Sequence, residues 1–424
     1  MSSTDSSSET SSSSDENINS ENVNFKGKLL NNYNIICELG SGSYSIVWLG
    51  FSIENNKFYA IKVQNPEDYK DGVSEIKILK SLPDHKNILQ IKDYFVKKIG
   101  DKKFLCSVYD LCCGNLDGLI RKGEFKNGLD IETAKNIFFQ LISGLNVLHK
   151  KCKLIHCDIK TDNLLLKGKS IKDNYIIDFY KNKNFPEKYI EAKKKYWTDQ
   201  GKNIDKIKKM KSEDKYKIRK LVHQSIIEEL DEDLNNSDNL FGGAKIDSNL
   251  IKDPSIVIAD FGAACTEDES YEEDFGTRYY RAPEVILLGE ITSKVDIWAA
   301  GCILYELING SFLFEPDKDK FKSRDYYHLL EISKVSGKFS KKFLKKTKNW
   351  RNFFDRDYDI KDTEFREYYD LDELFEKVED LKEKSEIIDL VKKMLTINPG
   401  DRPSAEEILS HSWFASSKTD ESVF

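Results

Sequence analysis

A change of apolar period part-way along the chain constrains its fold more than any other feature. Between residues 33 and 110, apolar residues gather in short runs rich in β-branched and aromatic side chains, at 33–39, 45–51, 58–63, 88–95 and 104–110, broken by Gly and polar turns. Runs of this kind read as strands of a small antiparallel sheet. One stretch differs: within 70–81, Val73, Ile76, Ile78 and Leu79 fall near helical spacing, so one helix is expected amid five strands. Beyond Leu116 the period is helical. Residues 131–150 carry Ile137, Leu141, Leu145 and Leu148 on one stripe, and 295–308 and 385–395 repeat the pattern. The expected fold class is α+β, with a small β-rich lobe (33–109), a connector (110–114) and a larger α-helical lobe (115–415).

Two segments fit neither pattern. Residues 1–24 are almost wholly Ser, Thr, Asp, Glu and Asn. They are too poor in apolar side chains to offset chain entropy and read as a disordered, solubilising tail. Residues 168–252 carry a basic stretch (193–211), then an acidic one (228–233). Long structureless loops are rare inside compact domains, so this reads as a charged spacer inserted in the helical lobe. Its opposite charges could collapse on each other, and Ile218, Leu221, Val222 and Ile226 could form an amphipathic helix face. Residues 416–424 read as a C-terminal tail.

Composition removes several classes. The 66 basic and 73 acidic residues leave a net charge of -7, which argues against binding nucleic acid through phosphate contacts. No stretch approaches the roughly 18 consecutive apolar residues of a membrane span, and the start lacks an apolar signal core. The expectation is a monomeric protein of the cytoplasm, the nucleus or both. The eight cysteines include no C-x-x-C pair, and there are only six histidines, so no zinc-ligand spacing is present and reduced thiols are expected.

The chemistry-bearing residues come in order along the chain. Leu39, Gly40, Ser41, Gly42, Ser43, Tyr44, Ser45, Ile46 and Val47 lie between two strand-like runs. Glycines there let backbone N–H groups close over phosphates. Tyr59-Ala60-Ile61-Lys62 then sets a single lysine on the next strand, and Glu75 falls on the helix that follows. His156-Cys157-Asp158-Ile159-Lys160-Thr161-Asp162-Asn163 supplies a carboxylate able to take or orient a hydroxyl proton (Asp158). It also supplies a cation, Lys160, and an amide oxygen donor, Asn163, within five positions of that carboxylate. A further carboxylate, Asp260, stands in Asp260-Phe261-Gly262. Ala282-Pro283-Glu284, Asp296-Ile297-Trp298 and Asp401-Arg402-Pro403 follow, with Glu284 and Arg402 expected as a buried ion pair.

Seven ordered motifs resemble the eukaryotic protein kinase domain, and finer details resemble the serine/arginine-rich protein kinases. Those details are the Gly40 to Trp48 loop, the run Glu75 to Lys80, Cys106 to Asp110, the non-Arg residue Cys157, Glu273 to Arg281 and Ser311 to Pro316. The insertion has its counterpart there as well. Asn163 and Asp260 stand 97 positions apart, against about 13 in ordinary kinases.

The resemblance implies a bilobal kinase fold that transfers the γ-phosphoryl group of ATP to Ser or Thr, with Lys62 and Glu75 positioning the α and β phosphates and Asn163 and Asp260 holding Mg²⁺. It implies a Tyr109 gatekeeper, with Asp110 and Cys112 in the adenine hinge and Ala60 against the ring. It also implies Arg/Ser-rich, splicing-type protein substrates, hence a role in mRNA splicing regulation. Asp162 is the acid expected to meet a basic substrate side chain. Cys157 replaces the Arg that pairs with an activation-loop phosphate, and Glu267, Asp268, Glu269, Glu272, Glu273 and Asp274 supply fixed negative charge. Activity without activation-loop phosphorylation at Thr266, Ser270 or Tyr271 is therefore expected. Two departures stand against long-range docking of Arg-rich tails: Tyr327 and Lys334 where acids are expected, and the basic run 338–348. The alternatives are a proline-directed or dual-specificity relative, and a non-catalytic scaffold with the same fold.

Overall fold

A computed structural model describes residues 23–42, 44–122, 125–203, 207, 209–236, 248–267, 275–318, 320–363 and 368–415. Strands β1 (Leu29–Leu30), β2 (Tyr33–Ser41), β3 (Ser45–Ser52), β4 (Phe58–Gln64), β5 (Ile91–Ile99) and β6 (Lys102–Tyr109) form one antiparallel sheet in the order β1-β2-β3-β4-β6-β5. Five strands were expected; the sixth, β1, has two residues and so shows no period. It is held because Phe25 and Leu30 sink into the sheet core and Gly27, at φ +70°, turns the chain between them. Phe25 meets the edges of Trp48 and Phe104 at 6.2 and 5.4 Å between ring centres. The run expected from residue 88 begins its strand at Ile91. Ile88 instead bridges Ile258 of the helical lobe, and the Leu89 N–H donates to the Ile258 carbonyl at 2.9 Å. Helix α1 (Tyr69–Ser81) lies on the sheet through Gly72, Glu75, Ile76 and Leu79, the i, i+3, i+4, i+7 face.

β7 (Cys112–Asn115) and α2 (Leu116–Lys122) lead into α3 (Ile131–Val147), which starts where the Asp130 carboxylate accepts from the Thr133 N–H. The period predicted helix to residue 150; regular α-helix stops at Val147 and a wider turn, Leu148–Cys152, follows, closed by left-handed Lys153 at φ +55°. β8 (Leu154–Ile155) and β9 (Leu164–Lys167) frame the loop between them.

The spacer is largely helical: α4 (Ile171–Lys181), α5 (Phe185–Thr198), α6 (Ser212–Asn236) and α7 (Ser248–Lys252). Glu229 of the acidic stretch pairs with Lys183 and Lys188, which precede the basic stretch 193–211. Although inserted in the helical lobe, it packs on the sheet. Ile176, Ile177 and Tyr180 of α4 and Val222, Ile226, Ile227 and Leu230 of α6 bury themselves with Ile36 and Leu49. Leu221, expected on the same face, stays 41% exposed because the buried row recurs every four residues (218, 222, 226, 230). The register Val47↔Lys62, Leu49↔Ala60, Phe51↔Phe58 puts these residues in one row on one face of the sheet. Tyr180 covers the far end of that row, 5.3 Å from Phe51 and 5.9 Å from Phe58. Asn34 Nδ2 donates to the Tyr180 hydroxyl (2.9 Å), which donates to His223 Nδ1 (3.0 Å). His223 Nε2–H donates in turn to the Ile35 carbonyl at 2.8 Å.

β10 (Ile256–Ile258) joins β9 and β7 in a three-stranded sheet, and β11 (Cys265–Thr266) pairs with β8. α8 (Pro283–Ile286), α9 (Lys294–Asn309) and α10 (Arg324–Ser336) follow. α9 is apolar almost all round, from Val295 to Ile308, and runs through the middle of the lobe. No helix among the described residues is long and apolar enough to cross a membrane.

Candidate active site

Alternation on β4 turns Lys62 toward α1, whose buried face carries Glu75. The Lys62 ammonium donates to both Glu75 oxygens, at 2.8 and 3.0 Å, and lies 3.8 Å from Asp260 Oδ1. Burial works against the ammonium, but Glu75 and then Asp260 outweigh it and hold it above the usual lysine value. Asp260 stands just beyond β10 at φ +63°, a left-handed position uncommon for aspartate. The next residue, Phe261, is fully buried with its ring 5.0 Å from His156.

The loop after β8 is pinned from below by Asp296 at the start of α9. This buried carboxylate accepts from the backbone N–H of His156 (2.8 Å) and of Cys157 (3.0 Å) and lies 2.8 Å from His149 Nε2. His156 Nε2 donates to the Ala259 carbonyl at 3.0 Å, joining the loop to the strand that carries Asp260. Asp158 Oδ2 lies 2.7 Å from the Lys160 ammonium. Asp158 Oδ1 accepts from the Thr277 N–H (2.9 Å) and hydroxyl (2.8 Å). Lys160 donates to the same Thr277 oxygen at 2.9 Å, and Asn163 Nδ2 donates to the Asp158 carbonyl at 2.9 Å. Burial acts to raise the Asp158 carboxyl, but Lys160 and Thr277 together hold it below the usual carboxylate range. Gly276 makes this meeting feasible: at φ +72°, a Cβ there would stand 2.8 Å from the Cys157 carbonyl oxygen.

The β2–β3 hairpin carries the glycine-rich loop, with Gly40 opposite Val47 and Ser41 opposite Ile46. Its turn is closed by the Gly42 N–H donating to the Ser45 carbonyl at 2.9 Å. A Cβ at Gly40 would meet nothing within 4 Å, so a ligand can approach the backbone. Leu39 and Tyr44 flank the turn, Tyr44 being 66% exposed; Ser43 lies outside the described residues. Ala60 pairs with Tyr109 across the sheet, and Tyr109 is buried. Asp110 points outward to Lys92 at 2.8 Å, and burial pushes the Cys112 thiol up to about 12.

The structure thus brings Lys62, Glu75, Asp158, Lys160, Asn163 and Asp260 to one cleft between the lobes. Asp162 lies on the surface of the same loop; desolvation and then Asp117 raise its carboxyl. Residues 268–274, with most of the acidic run and the phosphate-acceptor candidates Ser270 and Tyr271, fall outside the described residues. Glu284 and Arg402 form the expected pair, bidentate at 2.6 and 2.7 Å and almost fully buried. The sequence gives no local sign of the part played by Thr277, which meets Asp158 from 119 positions away. Nor does it assign Asp296 its three contacts, although the residue stands in a quoted motif.

The protein kinase domain model matches residues 33–199 and 245–414. The gap between the two matched stretches falls in the spacer. The protein named "Putative serine/threonine-protein kinase L205" of Acanthamoeba polyphaga mimivirus is 28% identical to this chain, the alignment covering 96% of this chain and 91% of the relative. The serine/threonine-protein kinase SRPK of Physarum polycephalum is 27% identical, over 91% and 86%. SRSF protein kinase 3 of Mus musculus is 25% identical, over 91% and 87%.

Proposed function

The chain belongs to the protein kinase family, as a serine/threonine kinase similar over most of its length to SR protein kinases, and from that premise we propose that it phosphorylates Arg/Ser-rich proteins without needing a phosphate on its own activation segment. The observation that carries the second half is the site of Cys157. A thiol cannot hold a phosphate as an arginine does, and this one packs on Cys265, while Asp158 already takes its orientation from Thr277 and Lys160.

The residues fit a nucleotide and a divalent cation. Asn163 and Asp260 offer the oxygen donors that Mg²⁺ takes, and the backbone at Gly40 is open to a phosphate. When bound, ATP supplies the phosphoryl group and Mg²⁺ offsets its charge. Lys62, steadied by Glu75, would hold the α and β phosphates beneath the hairpin that carries Gly40. Asp110 and Cys112, next to the buried Tyr109, would bind adenine through their backbone. Asp158 takes the hydroxyl proton of the acceptor. Lys160, bridging Asp158 and Thr277, faces the phosphoryl group in flight.

For the substrate, support comes from Asp162, exposed on the catalytic loop, and from the similarity to SR protein kinases. The decisive assay is phosphotransfer by phosphatase-treated protein to Arg-Ser, Ser-Pro and acidic peptides, with the intact chain and with residues 168–252 deleted. The proposal expects immediate activity and the highest kcat/KM on Arg-Ser peptides. A lag until another kinase acts removes the phosphate independence, and a preference for Ser-Pro removes the substrate class.

A further inference from the structure

Cys157 and Cys265 are 108 positions apart in sequence, yet their sulfurs stand 3.4 Å from each other in the core. Cys157 lies in the catalytic loop directly before Asp158. Cys265 opens β11, five residues beyond Asp260 at the base of the activation segment, and β11 is fastened to β8 with Cys265 opposite Ile155. Cys265 is thus held by backbone pairing, and Cys157 by its N–H, which donates to the Asp296 carboxylate at 3.0 Å. We propose that these two thiols are an oxidation site, closing to a reversible disulfide that ties the catalytic loop to the activation segment and slows phosphotransfer.

Cys157 lines a small cavity with Asp158, Gly276, Thr277 and Arg281, the opening through which a small oxidant of the peroxide class would meet the first of the two thiols. The Cys157 thiolate attacks one peroxide oxygen; the O–O bond breaks, leaving a sulfenic acid and releasing water after protonation. The Cys265 thiolate then attacks that sulfur; the S–S bond forms, the S–O bond breaks and a second water leaves. In sum, two thiols and one hydrogen peroxide become one disulfide and two waters, the two electrons passing from sulfur to the peroxide oxygens. An added thiol reverses the bond by exchange.

The effect on activity follows from distance. A disulfide needs about 2.05 Å between sulfurs, so the pair must close by about 1.3 Å from its present 3.4 Å. Cys157 already has a left-handed backbone, φ +67°, and its N–H is bonded to Asp296. The movement is therefore passed on to Asp158, whose oxygens are placed by Thr277 and Lys160. A misplacement of about 1 Å at a reacting group costs up to about 10²-fold in rate.

The test uses the full chain treated with hydrogen peroxide or, separately, diamide, digested without reductant and mapped by mass spectrometry, with phosphotransfer followed in parallel. The expected result is a cross-linked peptide pair containing Cys157 and Cys265, two hydrogens lighter than the thiols. With it, activity should fall at least about tenfold, returning on dithiothreitol, and Cys265→Ser should keep its activity under the same treatment. The proposal is overturned if neither oxidant yields the pair, if the pair forms with activity unchanged, or if Cys265→Ser is inactivated as fast as the parent. The wild-type mapping decides the bond even if the variant folds poorly.

Discussion

The docking of the spacer on the sheet should fail in acid, and His223 sets how far. Burial holds this imidazole down at about 4, against about 6.5 in an unfolded chain. Its Nε2–H is given to the Ile35 carbonyl and its Nδ1 accepts from Tyr180. A second ring proton on Nδ1 would displace the hydrogen that Tyr180 donates there. Because the folded value lies below the unfolded one, the unfolded state binds the extra proton first. The stabilising contribution is whole above pH 6.5 and is lost as pH falls toward 4, to a total of about 3 kcal/mol, of which about 2 kcal/mol is gone at pH 5. His223→Gln keeps one donor and one acceptor and cannot titrate. Urea unfolding of the parent and of His223→Gln at pH 8 and pH 5 cancels the other titrating groups. The parent-minus-variant difference should shift by about 2 kcal/mol between the two pH values. Equal differences at both would refute the argument.

Replacing Asp158 by Asn should lower kcat by about 10² to 10⁴ with the circular dichroism spectrum unchanged; an undiminished rate would mean that another group takes the proton. Arg402→Met strands the almost fully buried Glu284 carboxylate and should cost about 3–5 kcal/mol in urea unfolding, much of it recovered by adding Glu284→Gln. Ile226→Ala removes a fully buried side chain from the spacer–sheet contact, for a loss of about 2–5 kcal/mol, read as faster hydrogen exchange in α6 and β2. Asp162→Asn should raise KM several-fold for Arg-Ser peptides and leave KM for an acidic peptide unchanged; equal changes in both would rule out a direct contact with arginine.

Much of the fold was legible because its signals are local. Short β-branched and aromatic runs broken by turns, and the switch to a helical period, place the strands of the sheet, α1 and the long helices of the second lobe, since these signals lie within a few neighbouring residues. β1 was missed because two residues have no period, and α3 was drawn too long because an apolar stripe continues through Leu148 whether the backbone is α-helical or wider. The cleft residues were legible for the same local reason. Each is marked by neighbours within a few positions, such as Asp158 by Lys160 and Asn163.

Sequence by itself determined which side chains carry charge and chemistry, and that a spacer lies within the stretch from Asn163 to Asp260. Only the tertiary structure decided what meets what across long separations: Thr277 on Asp158, Asp296 beneath the catalytic loop, Cys157 against Cys265, and the spacer on the sheet, not on the lobe that contains it. The physical reason is that an apolar stripe such as Ile218, Val222 and Ile226 requires burial but does not name the surface that provides it. A lone threonine or cysteine acquires a role only when packing brings a partner within bonding distance.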